Sequence, residues 1–314
     1  MRALGIDTSN YTCSAALYDS ITGEVFMNKR LLPHPNGAIG LRQSQAVFEH
    51  VKCLGDIIED LFLKTNASFD VVGVSNKPRT VEGSYMPCFL VGEMTAKSIC
   101  ASNGKKLYRY SHQQGHIAAA LYSANKLSWL KDGEFIAFHV SGGTTECLLI
   151  RCCDNKICDI TKLGGTLDLN AGQVIDRVGS KLGLGFPAGP ELENLALKCN
   201  ACEMDIVKFK TAVKNMNCCL SGLENKCSDL LSSGHSKEYV ARYCLTYIGY
   251  SLVDIFESVY LDFSELPVLF SGGVMRNSII KSMLSKNHNT FFAEPEYSSD
   301  NALGPAILAC LEES

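Results

Sequence analysis

The sequence predicts an α/β fold in which one unit is built twice. Three observations predict it. An apolar strand, a short polar turn and a second apolar strand open the chain: Arg2 to Ile6, Asp7 to Tyr11, then Thr12 to Tyr18. The same grammar returns with Phe135 to Val140, the turn Ser141 to Thr145, and Glu146 to Ile150. Apolar runs joined by turns rich in Gly, Ser, Thr and Asn read as β-hairpins. The two copies stand roughly 135 residues apart, which points to duplication. Between and after them, helical periodicity alternates with short buried strands, the pattern of an α/β protein.

In chain order, apolar residues recur at helical spacing from Gln45 to Phe62, and Val71-Val72-Gly73-Val74 reads as a buried strand. Helices are expected over 89–101 and 115–127. After the second hairpin come a helix from Gln173 to Leu182, a rigid loop from Gly183 to Pro190, and a helix from Glu191 to Lys198. A long helix is expected from Glu238 to Phe263, then a short strand from Pro267 to Phe270. Gly272-Gly273 follows that strand and leads into a helix over 278–285, a strand–glycine–helix order that can bring a nucleotide against backbone N–H groups. A last helix spans 302–311. The expected division is an N-terminal lobe, 1–125, completed by 300–314, and a C-terminal lobe, 126–299.

Composition sets bounds. A chain of 314 residues, 46% hydrophobic and 20% charged, can bury a large core in two lobes. No run of roughly 18 apolar residues exists, so no membrane span is expected. Asp7 interrupts the N-terminus too early for a signal peptide, and a cytoplasmic protein is expected. In that setting the fifteen cysteines read as buried thiols and not disulfides. Cys199 and Cys202, followed by Cys218, Cys219 and Cys227, were weighed as structural zinc ligands, but the second pair is malformed. A net charge of −4 with no long basic run gives no compositional support for nucleic-acid binding.

The chemistry concentrates in a few motifs. His112-Gln113-Gln114-Gly115-His116 sets two imidazoles four apart, on one face of a helix, where both can grip a metal ion. The alternative is a helix-end histidine plus a core histidine. No glutamate follows His112, so the zinc-protease motif and its general base are absent. Ser141-Gly142-Gly143-Thr144 can present N–H groups to an anion or simply turn a hairpin, and the same two readings apply to Asp7 to Asn10. Asn277 can meet a ligand or cap a turn. Asp300 reads by itself as a helix N-cap, Asp176 as a surface ion pair with Arg177, and Glu193 as a solvated helix face.

Taken in order, these motifs resemble the TsaD family, the threonylcarbamoyladenosine synthases of transfer RNA once called O-sialoglycoprotein endopeptidases or glycoproteases. The resemblance runs through Gly5 to Ser9, His112 to His116, Val140 to Thr145, Ala171 to Arg177, Leu182 to Pro190, Ser271 to Asn277 and Asp300-Asn301. It implies the actin-like ATPase (ASKHA) fold, with two ribonuclease-H-like lobes on mixed five-stranded sheets. It implies that His112, His116 and Asp300 hold one divalent metal, iron or zinc. It implies that Asp7, Ser9, Val140, Ser141, Gly142, Gly143 and Thr144 line an adenine nucleotide (ATP, AMP or threonylcarbamoyl-AMP). Asp176, Gly189 and Glu193 would hold its ribose, with Asn277 near the adenine and Gly272 and Gly273 also in the nucleotide site. The reaction implied is transfer of a threonylcarbamoyl group from its adenylate to the N6 amine of an adenosine beside the anticodon. Transfer RNA and other tRNA-modification proteins are the implied partners.

Several positions depart from the family pattern. Thr144 replaces the histidine of Ser-Gly-Gly-His-Thr, and Glu224 replaces the lysine of Ser-Phe-Ser-Gly-Leu-Lys. Asp7 to Tyr11 stands for Glu-Thr-Ser-Cys-Asp, and Lys77 to Thr80 for Gly-Pro-Gly-Leu. The chain therefore reads as a diverged paralogue. The rival readings are a catalytically diverged, actin-like nucleotide-binding partner protein and, weaker for want of a general base, a metallopeptidase.

Overall fold

The computed structural model describes residues 1–9, 11–33, 41–200, 209–286, 289–297 and 300–314. In chain order its elements begin with β1 (Arg2–Asp7), β2 (Thr12–Asp19), β3 (Val25–Leu31), α1 (Gln43–Thr65), β4 (Val71–Lys77), α2 (Phe89–Asn103), β5 (Lys106–Ser111), α3 (His112–Ser123) and α4 (Trp129–Asp132). Then come β6 (Glu134–Val140), β7 (Thr145–Cys153), β8 (Lys156–Thr166), α5 (Ala171–Lys181), α6 (Gly189–Ala196), β9 (Val213–Lys214) and β10 (Asn217–Cys218). The remainder is α7 (Ser221–Ser232), α8 (Lys237–Phe263), β11 (Val268–Ser271), α9 (Ser278–Leu284), β12 (Thr290–Phe292) and α10 (Leu303–Glu313). Among the described residues, no helix is long and apolar enough to cross a membrane.

The chain divides into two compact units. Unit 1 is Met1–Gly133, Arg151–Cys158 and Glu296–Ser314; unit 2 is Glu134–Ile150 and Asp159–Pro295. The expected boundary at 125/126 falls short of the observed one. The segment after α3 stays tied to unit 1, with Lys126 N donating to Leu121 O at 2.8 Å and Cys152 N to Gly133 O at 2.8 Å.

Unit 1 carries a five-stranded sheet in the order β3-β2-β1-β4-β5. β1 runs antiparallel to β2 and parallel to β4, and β4 is parallel to β5. In unit 2 the order is β12-β11-β6-β7-β8-β10-β9. Read from the other edge, β8-β7-β6-β11-β12 repeats the strand order of unit 1, so the duplication inferred from the two hairpins extends to both sheets. The expected five strands become seven because Val213–Lys214 and Asn217–Cys218 form a small hairpin along β8. Its turn, Asn215-Met216, has φ of 50° and 61°, the left-handed pair that a two-residue hairpin turn requires.

Each unit has its own core. In unit 1, Leu4, Ile6, Ala15, Val72, Val74 and Ile57 are fully or nearly fully buried between the sheet and its helices. In unit 2, Val240, Ala241, Cys244, Leu245 and Ile248 make α8 the central buried helix. α10 is buried along most of its length, Leu303 to Cys310. It can lie that deep because glycines face it. A Cβ on Gly5 would stand 2.0 Å from Ala302 O, one on its β-partner Gly73 2.0 Å from Pro305 O, and one on Gly304 2.0 Å from Gly115 O. Backbone therefore meets backbone where α10 crosses β1, β4 and α3.

The absence of disulfides expected from composition does not hold. Cys153 and Cys158 are bonded across the β7–β8 hairpin, with Cα atoms 6.2 Å apart, within the span a disulfide allows. The Asp154-Asn155 turn, with φ of 51° and 62°, folds the strands back so that these two cysteines meet.

Candidate active site

In unit 1, three functional side chains are set by one helix, α3, and the segment before α10. Ser111 begins α3 as a capping box: its hydroxyl accepts from Gln114 N at 3.2 Å, and Gln114 Oε1 accepts from Ser111 N at 2.9 Å. That cap makes His112 the first residue of the helix and places His116 one turn on, on the same face. Their ring centroids are 4.2 Å apart. Asp300 comes from the segment before α10. Its Oδ1 lies 3.4 Å from His112 Nε2 and 3.2 Å from His116 Nε2. The close seat of α10 on Gly115 and β1 brings this carboxylate within reach. Asp300 is not the N-cap its sequence position suggests. The N-cap position is Ala302, and the first helical N–H, Leu303 N, is met by Asn301 Oδ1 at 3.0 Å, while Asp300 faces the histidines.

Asp7, expected among the nucleotide residues, is fully buried at the end of β1. Its Oδ2 accepts from His112 Nδ1 at 2.9 Å, and its Oδ1 from Ser9 N at 2.8 Å. A carboxylate only accepts, so the Nδ1 proton is fixed there and Nε2 is the ring nitrogen that faces Asp300 and His116. Burial works against charge on His112, but the Asp7 and Asp300 carboxylates outweigh it and push the imidazole up to about 10. Desolvation likewise opposes charge on Asp300, yet bonds from His112 and His116 hold its carboxyl well below the usual range.

The residues fit a metal. Their ligand atoms lie within 4.8 Å of one another. Two imidazoles and one carboxylate are a common set for zinc or ferrous iron with open positions. An aspartate behind one histidine is the usual support for such a ligand.

In unit 2 the expected nucleotide residues gather around the ends of β6 and β11. Ser141 to Thr144 form a tight turn: Ser141 N donates to Thr144 O at 2.7 Å, while Ser141 Oγ accepts from Gly143 N at 3.3 Å and Thr144 N at 3.1 Å. Two N–H groups converge on one point, as in an anion nest, and the serine hydroxyl now satisfies them. The turn rests on the start of α5, where Gly172 N donates to Ser141 O at 3.1 Å. Gly272, at φ 100°, allows the turn after β11 to touch β6, since a Cβ there would stand 2.2 Å from Val140 O. Gly273 is open to its surroundings.

The other unit 2 residues already have structural partners. Asp176 accepts from Ala188 N at 2.8 Å beside Gly189, and burial nonetheless keeps its carboxyl above the ordinary value. It forms no pair with Arg177, which turns to Glu224 at 3.1 Å. Glu193 Oε1 accepts from Ser278 N and from its hydroxyl, and Asn277 Oδ1 caps α9 by accepting from Ile280 N at 3.1 Å. The possible zinc cluster is not assembled among the described residues: Cys218 and Cys227 are buried thiols, Cys219 is exposed, and Cys202 lies outside the described residues. Sequence reasoning missed the role of Asp7 toward His112. It also missed the Ser111/Gln114 capping box, although the Ser-x-x-Gln spacing was a usable signal.

The model of the TsaD family, described as tRNA N6-adenosine threonylcarbamoyltransferase, matches residues 24–306. The tRNA N6-adenosine threonylcarbamoyltransferase of Rhizobium etli is 27% identical over 333 residues, covering 96% of this chain and 86% of its own length. That of Nanoarchaeum equitans is 27% identical over 316 residues, covering 98% and 93%. Among solved structures, component A of the (R)-2-hydroxyglutaryl-CoA dehydratase of Acidaminococcus fermentans superimposes with a TM-score of 0.56 at 14% identity, over 98% of this chain and 97% of that one. That likeness bears on the fold alone, which is the actin-like ATPase fold.

Proposed function

This chain belongs to the TsaD family of acyl- and carbamoyl-transferring enzymes, and from that premise we propose that it is a metal-dependent threonylcarbamoyltransferase. The donor is threonylcarbamoyl-adenylate, and the acceptor is the N6 amine of an adenosine in transfer RNA, met in the cytoplasm. The observation that carries the reading is the convergence of His112, His116 and Asp300, with Asp7 behind His112.

His112, His116 and Asp300 hold the ion, iron or zinc, which when bound supplies a Lewis acid for a carbonyl oxygen. Asp7 keeps His112 in the tautomer that presents Nε2. The Ser141–Thr144 turn offers N–H groups of Gly143 and Thr144 to a phosphate once the Ser141 hydroxyl rotates away. Val140, Gly272 and Gly273 leave backbone beside that turn, so a flat nucleotide can approach closely. Asp176, Gly189, Glu193 and Asn277 serve the ribose and adenine. Ser9 stands beside Asp7 at the end of β1.

A second reading, a nucleotide-binding partner protein without transfer activity, is favoured by one observation. Glu224, where the family has lysine, is drawn into ion pairs with Arg177 at 3.1 Å and Lys181 at 3.0 Å. The deciding experiment supplies the purified chain with threonylcarbamoyl-adenylate and unmodified tRNA and measures modified adenosine by mass spectrometry. Modified adenosine supports the transferase. Adenylate binding without product, alone or with added tRNA-modification proteins, supports the partner reading.

A further inference from the structure

We propose that unit 1 contains a second, buried metal site, formed by Cys13, His50 and Cys53 and suited to a thiophilic divalent cation such as zinc. Cys13 lies on β2, and His50 and Cys53 lie on α1, which packs against that strand. The buried stripe of α1 is Ala46, His50, Cys53, Leu54, Ile57 and Leu61. His50 interrupts an otherwise apolar row, and Cys53, three residues on, shares its face. All three side chains are in the interior, at 0% exposure for Cys13 and His50 and 5% for Cys53. One Sγ from each cysteine and one imidazole nitrogen lie within 4.8 Å of each other. Two sulfurs on one tetrahedral zinc stand about 3.8 Å apart, given zinc–sulfur bonds of about 2.3 Å.

The donor set and the charge balance both select the ion. Two thiols and an imidazole form a softer set than the two imidazoles and carboxylate of the first centre, which favours a thiophilic ion such as zinc at the second site. On binding, each thiol gives up its proton to solvent and forms a metal–sulfur bond. Two thiolates, a neutral imidazole and a divalent ion sum to zero charge, the state an apolar interior tolerates. A monovalent ion would leave a net negative charge there. Three protein donors leave a tetrahedral ion one further position for a non-protein ligand. The site would tie α1 to β2, the strand next to the edge of the sheet.

The full-length, reduced, metal-free protein is titrated with cobalt(II) under anaerobic conditions. The expected result is two equivalents bound, one of them with near-ultraviolet sulfur-to-cobalt charge-transfer absorption. That band is retained when the first centre is removed by His112→Ala and His116→Ala, and is lost in Cys53→Ser and in His50→Gln. Because those last variants remove core side chains, wild-type crystals grown with zinc provide an independent check. Anomalous scattering at the zinc edge is expected to show a peak among Cys13, His50 and Cys53. A peak at His112 and His116 alone, with no sulfur band, overturns the second site and leaves the first intact. A Cys13–Cys53 disulfide, seen as the loss of two hydrogens in the intact mass, also overturns it.

Discussion

The two units use their polar residues in opposite ways. In unit 1 the side chains of the candidate centre point at one another: His112 and His116 share Asp300, and Asp7 braces His112 from behind. In unit 2 the corresponding residues are satisfied by nearby backbone, Asp176 by Ala188, Glu193 by Ser278, Asn277 by Ile280, and the Ser141 turn by itself. A metal site must be assembled against charge repulsion and desolvation, so its ligands need outside support. A nucleotide loop needs only backbone in the right shape, and its side chains are free to hold that shape. Unit 1 therefore presents ligands, and unit 2 presents a scaffold.

If that contrast is right, the largest effect comes from removing a ligand. Asp300→Ala is expected to weaken metal binding by more than ~100-fold, beyond the range of supporting residues, as measured by competition with a chromophoric chelator. Unchanged affinity would break the comparison at its strongest point. Gly304→Ala tests the packing that delivers Asp300. With its Cβ 2.0 Å from Gly115 O, it should cost about 1–3 kcal/mol or more of stability in urea unfolding and weaken metal binding with it. Asp7→Asn keeps the shape but removes the charge behind His112. A loss of roughly 10–100-fold in metal affinity is expected with little change in adenylate binding, readable by calorimetry.

The smallest effect belongs to unit 2 and tests its role as a scaffold. Asp168 accepts from Leu220 N at 2.7 Å and Ser221 N at 3.1 Å, fastening the start of α7. Burial raises its carboxyl, but these bonds and that of the Ser221 hydroxyl win and lower it to about 2. A depressed carboxyl means the unfolded chain binds the proton more readily, so the stabilisation is present above about pH 4 and is lost as pH falls toward about 2. Asp168→Asn should cost about 1 kcal/mol at neutral pH and erase that part of the acid dependence, with metal content untouched.

Much of this was legible in the sequence where burial is two-sided. β1, β2, β6 and α8 are apolar enough to read directly, and the hairpin repeat foretold the matching strand orders. β3, β5 and β8 were missed because they carry charged and polar residues, such as Asn28, Lys29 and Arg30 in β3, and show no apolar alternation. α7 was missed for the same reason, with Glu224, Asn225 and Lys226 in its first half. His112 and His116 were legible through helical spacing. Asp300 read by itself as a helix cap, because an aspartate before an apolar helix is what a cap looks like, and only the family resemblance set it with the histidines. Only the fold shows Asn301 meeting Leu303 N and α10 seated on glycines deep enough to bring Asp300 to the histidines. Asp7 was placed with the nucleotide because its partner lies 105 residues away, a pairing no local pattern encodes.

The most direct test is the metal content of the purified chain and of His116→Ala after reconstitution with iron or zinc and dialysis against a weak chelator, measured by plasma mass spectrometry alongside circular dichroism. Wild-type protein should lose bound metal relative to its starting load far more slowly than the variant, whose spectrum stays native while the ion held by His112 and Asp300 is stripped. Equal retention in both proteins would contradict the assignment of His112, His116 and Asp300 as the metal centre.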